Sequence, residues 1–472
     1  MRKHRTNSLI AWVILLNLSL AATAAVSLRN RSSVANLPSF YAHVRSPHDI
    51  CNSANGTGIS HAGYIGLEGD DEAAPKRSFF WYFEAQEDSE NAPVILTIGG
   101  GPGTTGMVNT LATQSHCMVT ANGTIPNPNA WTERFNLLAL DHPIGVGFSY
   151  GTMVNNSRSA AIDVYDFLQK FYFLYPKLAK NRFIINAGSY GGTYAPHIAT
   201  VIHEQNKALA LGKGRRGSVH INLDSLMITN PMSDALSHFR WTLYQSCHNT
   251  DLYNSTTCME LYTLLPACLE RIQFAYQNST VENRVAAFTL CSKLRDGDKH
   301  GTMMEDVSKK CDGSVEGCFP YFGWLSEFMN SEKTKRELGV PADVEFQAIS
   351  DAVWNEFANM GDHIQQPYLL YGPLLRDGIR ILHYIGAKDA NCAPQGIFSF
   401  LKLLPSPYQD RFLNAPDVPW PSAGEATVRV VGEGAGDMTY ILIDDAGHFV
   451  THDQPALSKK IIEHWIDNRS YA

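Results

Sequence analysis

Lysine and arginine are scarce in this chain. There are 38 of them against 46 aspartates and glutamates in 472 residues, a formal net charge of -8. A protein that grips a phosphate backbone needs the opposite balance, so nucleic acid is excluded as a partner. Paired Cys-x-x-Cys spacing is missing, which removes the usual structural zinc site. No lysine follows the glycine cluster Gly99-Gly100-Gly101-Pro102-Gly103. That loop therefore lacks the Gly-Lys-Ser/Thr ending of a phosphate cradle. Apart from Leu9–Leu20 the chain has no long apolar run, and that one is too short to span a bilayer comfortably. No metal and no cofactor is implied.

The most informative string that is present is Ala187-Gly188-Ser189-Tyr190-Gly191. It follows the apolar run Phe183-Ile184-Ile185 and leads into Thr193–Ala199, which reads as a helix. A strand, a turn of small residues with Ser at its apex and a helix make a nucleophile elbow. An alkyl hydroxyl is a poor nucleophile at neutral pH; it needs a base, and the base needs an orienting carboxylate. In this class of turn the chain order is Ser, then acid, then His. Asp389 follows the strand-like Ile381–Gly386, and His448 follows Tyr440–Ile443. Asp444 and Asp445 are too close to His448 in sequence to brace its ring from behind. Upstream, the apolar run Pro93–Ile98 enters the glycine cluster, where backbone N–H groups can face a developing oxyanion. Gly101 and Tyr190 are the expected donors.

Four blocks together carry a family resemblance: Gly100–Gly103, Asp141–Tyr150, Ser189–Gly192 and Ala446–His448. With the Asp389–Cys392 segment, they resemble the serine carboxypeptidase family, and Asp49-Ile50-Cys51 looks like the start of a secreted fungal member. The resemblance implies an α/β-hydrolase fold, with a mostly parallel central sheet and helices on both faces. It implies hydrolysis of a peptide at its C-terminal residue, with Ser189 as nucleophile, His448 as base and Asp389 as its orienter. It also suggests a Cys51–Cys117 disulfide and makes Cys392 the choice for an unpaired thiol.

The chain departs from the family where a free C-terminus is gripped. The family's Trp and Asn before the glycine loop read Thr97 and Gly99. One of its two Glu positions falls at Thr113 or Gln114 and the other at Gly188. No ionisable carboxylate occurs from Asn91 to Thr132. Gln114 could still donate from its amide, a glycine-loop N–H such as that of Gly100 could help, and Phe449 corresponds to a position near the leaving-group pocket. Three readings stay open: a secreted serine carboxypeptidase with altered leaving-group recognition, a carboxypeptidase-like acyltransferase or esterase, and a non-catalytic binding protein. The first stands ahead. Its partner is a peptide or small acyl substrate.

Arg2, Lys3 and Arg5, then Leu9–Leu20, then Ala22-Thr23-Ala24 form a signal-peptide pattern over residues 1–24, leaving one hydrolase domain at 25–472 without a membrane anchor. Secretion, or delivery to a vacuole through the secretory pathway, agrees with sequons at Asn30, Asn55, Asn122, Asn155, Asn254, Asn278 and Asn468. Nine cysteines suit an oxidising compartment, and the odd number leaves one unpaired. Six of them lie from Cys247 to Cys318. They mark a polar, helix-prone insertion over about 234–330, read as a lid above the sheet's edge, as a plain excursion stapled by disulfides, or as both.

Overall fold

The computed structural model describes residues 40–54, 58–69, 73–250, 252–299, 301–421 and 424–471. The expected signal peptide, Asn30 and Asn55 lie outside them. Thirteen strands occur among the described residues: β1 (Ala42–Arg45), β2 (Ser60–Gly66), β3 (Arg77–Phe83), β4 (Val94–Thr97), β5 (Cys117–Thr120), β6 (Gly123–Pro126), β7 (Asn136–Leu140), β8 (Phe183–Gly188), β9 (Leu223–Thr229), β10 (Arg380–Gly386), β11 (Val418–Trp420), β12 (Ala426–Val431) and β13 (Met438–Ile443). β5 and β6 pair with each other. The other eleven form one sheet in the order β1-β2-β3-β7-β4-β8-β9-β10-β13-β12-β11.

The six strands from β7 to β13 in that order are parallel, and both flanks are antiparallel. The sheet is thus mixed, with its parallel part at the centre. Side chains alternate between two cores, as a strand's two-residue period requires. Val94 and Leu96 of β4 point into one core, and Ile95 points into the other. Phe183 and Ile185 of β8 share the first core with Val164 and Phe167 of the helix Ser157–Leu174 and Ile198 of the helix Gly191–Ala210. Ile184 meets the second core, which holds Ile461 and Trp465 of the C-terminal helix Pro455–Ile466. Because both faces are covered, these strands read as unbroken apolar runs.

Four disulfides form: Cys51–Cys117, Cys247–Cys258, Cys268–Cys291 and Cys311–Cys318. Cys392 is free and buried. The last three staple the excursion between β9 and β10. That excursion is helical as far as the helix Tyr371–Arg376, well past residue 330. The cysteines end at Cys318, so the later helices carried no mark of belonging to it. The excursion has a core of its own, including Phe239, Leu243, Cys268, Ile272 and Leu294. No helix among the described residues is long and apolar enough to cross a membrane. Of the sequons described, Asn122, Asn254, Asn278 and Asn468 are exposed and Asn155 is half-buried.

The Cys51–Cys117 bridge closes a loop with a sequence separation of 66 and ties the N-terminal segment to β5. Loop-closure entropy at that length corresponds to about 4 kcal/mol. Replacing both cysteines with alanine is expected to lower stability by about 2–4 kcal/mol in a denaturant titration, without altering the other three bridges.

Candidate active site

β4, β8, β9, β10 and β13 run parallel, so their carboxyl ends share one edge of the sheet, the usual place for chemistry in such folds. The glycine loop leaves β4, Ser189 leaves β8, Asp389 leaves the loop after β10 and His448 the loop after β13. Ser189 sits between Gly188 and the helix starting at Gly191, with φ at 58°, a left-handed conformation that costs energy outside glycine. Tight packing holds it there. An added Cβ at Gly100 would fall 2.7 Å from Ser189 Cβ and 3.0 Å from Tyr190 N, so the glycine loop lies directly on the elbow. The Tyr190 side chain points away and donates to Asp362 Oδ2 at 2.7 Å. That leaves its backbone at the cavity.

His448 Nδ1 donates to Asp389 Oδ2 at 2.6 Å. Asp389 is fully buried and every acceptor site it offers is used. Asn230 Nδ2 donates to Oδ2 at 2.7 Å, and the N–H groups of Asn391 and Cys392 donate to Oδ1 at 2.8 and 3.1 Å. Burial alone would lower the His448 pKa. The charge and hydrogen bond of Asp389, with Glu305 nearby, outweigh it and raise the pKa above the usual value. Such an imidazole is a stronger base than an isolated one. The Cys392 thiol stands beside Ser189, and burial and the Asp389 charge push its pKa far up, so it stays protonated. Asp389, Cys392 and His448 are the one described His/Cys/acid trio with donor atoms within 4.8 Å of one another. The His448–Asp389 hydrogen bond already occupies that set.

A cavity of about 260 Å³ opens here, lined by Gly100, Gly101, Gln114, Ser189, Tyr190 and His448 among others. The inserted excursion supplies much of its far wall, including His238, Phe288, Arg295, Glu305 and Phe319. The excursion is clamped to both site loops. Met304 O accepts from Ala390 N at 2.7 Å and from Asn391 N at 3.1 Å, and Glu305 O accepts from His448 N at 2.7 Å. Nothing in the sequence pattern of Met303–Val307 announced that role.

A serine carboxypeptidase family model matches residues 54–468. The chain belongs to the serine carboxypeptidase family. It is therefore a serine-type hydrolase of that class. It is 28% identical to a carboxypeptidase Y homolog A of Pyricularia oryzae over 421 residues, covering 87% of this chain and 73% of that one. It is 29% identical to carboxypeptidase Y of Komagataella phaffii over 415 residues, covering 86% of this chain and 75% of that one. Its fold matches that of the Saccharomyces cerevisiae prohormone-processing carboxypeptidase Kex1Δp with a TM-score of 0.75 at 20% identity, across 90% of this chain and 95% of that one.

Within this serine carboxypeptidase, the positions where the sequence departs from the family cluster at one end of the cavity. Gln114, not Thr113, lines it. Thr113 Oγ1 turns instead to Asn109 O and Thr451 Oγ1. The difference arises because Thr110–Gln114 is a π-helical turn, whose wider register periodicity does not predict. Gln114 ends a chain of hydrogen bonds under the pocket floor. Tyr384 Oη donates to Asn186 Oδ1 at 2.8 Å, Asn186 Nδ2 to Thr97 Oγ1 at 3.3 Å, and Thr97 Oγ1 to Gln114 Oε1 at 3.0 Å. That order fixes Oε1 as the acceptor and leaves the NH₂ at the free end of the chain, where Gln114 Nε2 is buried without a partner among the described residues. Sequence reasoning missed Asn186, Tyr384 and Asn230. At Gly188, an added Cβ would fall 2.6 Å from Thr229 Oγ1. Phe449 both lines the cavity and packs on Phe319, ring centroids 4.8 Å apart.

Proposed function

We propose that this protein is a secreted serine carboxypeptidase that removes C-terminal residues of peptides through an acyl-enzyme on Ser189. The observation that carries the reading is a serine at the apex of a left-handed turn, sharing one cavity with a histidine whose Nδ1 is bound to a fully buried aspartate. In this reading His448 takes the Ser189 proton as the hydroxyl attacks the scissile carbonyl. Asp389 keeps the proton on Nδ1 and stabilises the imidazolium. The backbone N–H groups of Gly101 and Tyr190 receive the oxyanion, and the positive end of the helix Gly191–Ala210 points at the same place. His448 then protonates the leaving amine, and water repeats the sequence on the acyl-enzyme. Residues 1–24 direct export, the exposed sequons carry glycans, and the excursion after β9 is the fixed roof of the substrate site. The destination is extracellular or vacuolar.

A second reading, an acyltransferase or esterase on the same frame, draws on one observation. Gln114, an uncharged amide whose Nε2 has no partner among the described residues, lines the cavity where the resemblance places a carboxyl group. N-blocked peptides with free C-termini, their amides and their simple esters separate the two, incubated with and without an alcohol or amine acceptor. Release of a single C-terminal residue, detected by mass spectrometry, supports the carboxypeptidase. Ester cleavage or acyl transfer without that release supports the alternative.

Two carboxyl groups that share a proton can donate to a substrate carboxylate, but only at acidic pH. Rebuilding them requires more than Gln114→Glu and Gly188→Glu, because the new side chain at 188 meets Thr229. The triple variant Gln114→Glu/Gly188→Glu/Thr229→Ala is expected to lower KM for free-C-terminus peptides by about tenfold near pH 5 and little at pH 7.5. The double variant without Thr229→Ala is expected to lose that gain. Steady-state kinetics at the two pH values checks both.

A further inference from the structure

The excursion wall of the cavity carries one feature that the reaction does not use. Among the residues lining the cavity, Arg295 is the only arginine or lysine. It ends the short 3₁₀ turn Lys293–Arg295 that follows the disulfide-anchored helix Val281–Ser292, so its backbone sits on a braced element. A guanidinium has five N–H donors in a rigid fork. Arg295 Nη2 donates to Asn391 Oδ1 at 2.7 Å, whereas Nε is shut off from solvent and has no partner among the described residues. Glu305 lies on the same wall, but Asn391 intervenes: its Nδ2 donates to Glu305 Oε1 at 3.0 Å. Asn391 therefore holds the acid and the base apart. Its own N–H is bound to Asp389 Oδ1, which fixes the guanidinium relative to the triad.

The other basic groups on that wall carry no charge at working pH. Burial pushes His238 and His363 down to about 3, with the Arg295 charge adding to the effect. A half-buried guanidinium whose Nη1 and second Nη2 N–H have no bond, and which has no ion-paired carboxylate among the described residues, is a binding site for a planar anion. Gln114, the lining amide beyond the glycine loop, is neutral, so the cavity's fixed positive charge stands on the excursion wall.

Resting on the reading of this cavity as the substrate site, we propose that Arg295 determines specificity by binding a substrate carboxylate. That carboxylate is either the acidic side chain of the acyl residue or the α-carboxylate of the leaving residue. Both offer the same two-oxygen fork.

The test is binding to the Ser189→Ala enzyme, which leaves peptides intact and does not depend on which reaction the enzyme performs. The probes are N-acetyl-Glu-Leu and N-acetyl-Gln-Leu, each as free acid and as C-terminal amide, titrated by calorimetry. A roughly tenfold preference for Glu over Gln, abolished by Arg295→Met, assigns the acyl side chain. A similar preference for acid over amide, abolished by the same change, assigns the α-carboxylate. In either case Arg295→Lys is expected to keep part of the preference, since the charge remains but the fork does not, and binding of N-acetyl-Gln-Leu amide stays within about twofold. The proposal is overturned if the Arg295 enzyme binds no carboxylate form better than its amide counterpart, including if none binds. It is also overturned if a preference survives Arg295→Met, or if all four probes weaken in parallel because Arg295 only braces Asn391. Product analysis on the wild-type enzyme judges the carboxypeptidase reading separately.

Discussion

Asp389→Asn is expected to lower kcat by about 10⁴-fold while leaving KM close to its original value, and Ser189→Ala to lower it by about 10⁶-fold. The asparagine loss follows from the acceptor count at this carboxylate. Oδ2 accepts from His448 Nδ1 and Asn230 Nδ2, and Oδ1 accepts from two backbone N–H groups. An asparagine must turn its NH₂ towards one of these pairs of donors. The two backbone donors are fixed, so the NH₂ faces His448 and Asn230. His448 then loses its acceptor at Nδ1 and carries its proton on Nε2, the nitrogen that must be free to receive one from Ser189. Geometry is preserved and the tautomer is wrong. The measurement is single-turnover kinetics on an ester substrate, with thermal melts to show that both variants fold. A loss below tenfold in either variant would remove Ser189 and Asp389 from the proposed roles.

The residues of this constellation were readable because each is required by local chemistry. Ser189 needs small neighbours on both sides to expose its hydroxyl, and Asp389 and His448 each follow a plain apolar strand. The geometry that makes them a unit was not readable. Asn230, which shares Asp389 Oδ2, follows β9 in a stretch with no motif. The backbone clamp from Met304 and Glu305 to the acid and base loops uses carbonyl groups, on which side-chain identity leaves no trace. Arg295 stands amid polar, helix-prone sequence, where a charge is normally solvated. The antiparallel flanks of the sheet were hidden for a related reason. β11 and β12 are short or only partly buried, and their alternation lacks the unbroken apolar runs that announced β4, β8 and β10. Strong burial on two faces writes itself into sequence; edges, caps and carbonyl contacts do not.

Acidification is expected to destabilise this protein between pH 7 and pH 5, by up to about 5 kcal/mol in a denaturant titration. His142, His238, His363 and His383 are buried, and desolvation pushes each pKa from 6.5 down to about 3. Above pH 6.5 each ring is neutral in the folded and the unfolded chain, and nothing is lost. As pH falls below 6.5 the unfolded chain takes up protons that the folded chain refuses, so stability declines until about pH 3. At pH 5 each ring accounts for about 2 kcal/mol, and the four together for about 8. Asp141 works in the opposite direction. Burial pushes its carboxyl up to about 7, against the hydrogen bonds from Thr105 and the Phe148 N–H. Its contribution is complete below 3.8, is lost as pH rises through 7, and returns about 3 kcal/mol at pH 5. His448, whose pKa is raised, adds in the same sense as Asp141. Burial raises the carboxyls of Asp163 and Asp362 in the same sense as well, so about 5 kcal/mol is the upper end of the loss; the histidines still dominate, and such a loss is a large part of a typical folding margin. His383 gives the sharpest check. Neither ring nitrogen has a partner among the described residues, and the ring lies against Tyr371 and Phe400, so an apolar side chain should suit the site. His383→Leu is expected to recover about 2 kcal/mol at pH 5 and to change stability little at pH 7.5. Equal wild-type stability at the two pH values, or an unchanged slope in His383→Leu, would contradict the argument. Acidification also favours the protonated form of His448, whose pKa is raised, and in the proposed mechanism the neutral ring is the base. Folding stability therefore favours neutral over acidic pH, and the proposed chemistry changes in the same direction.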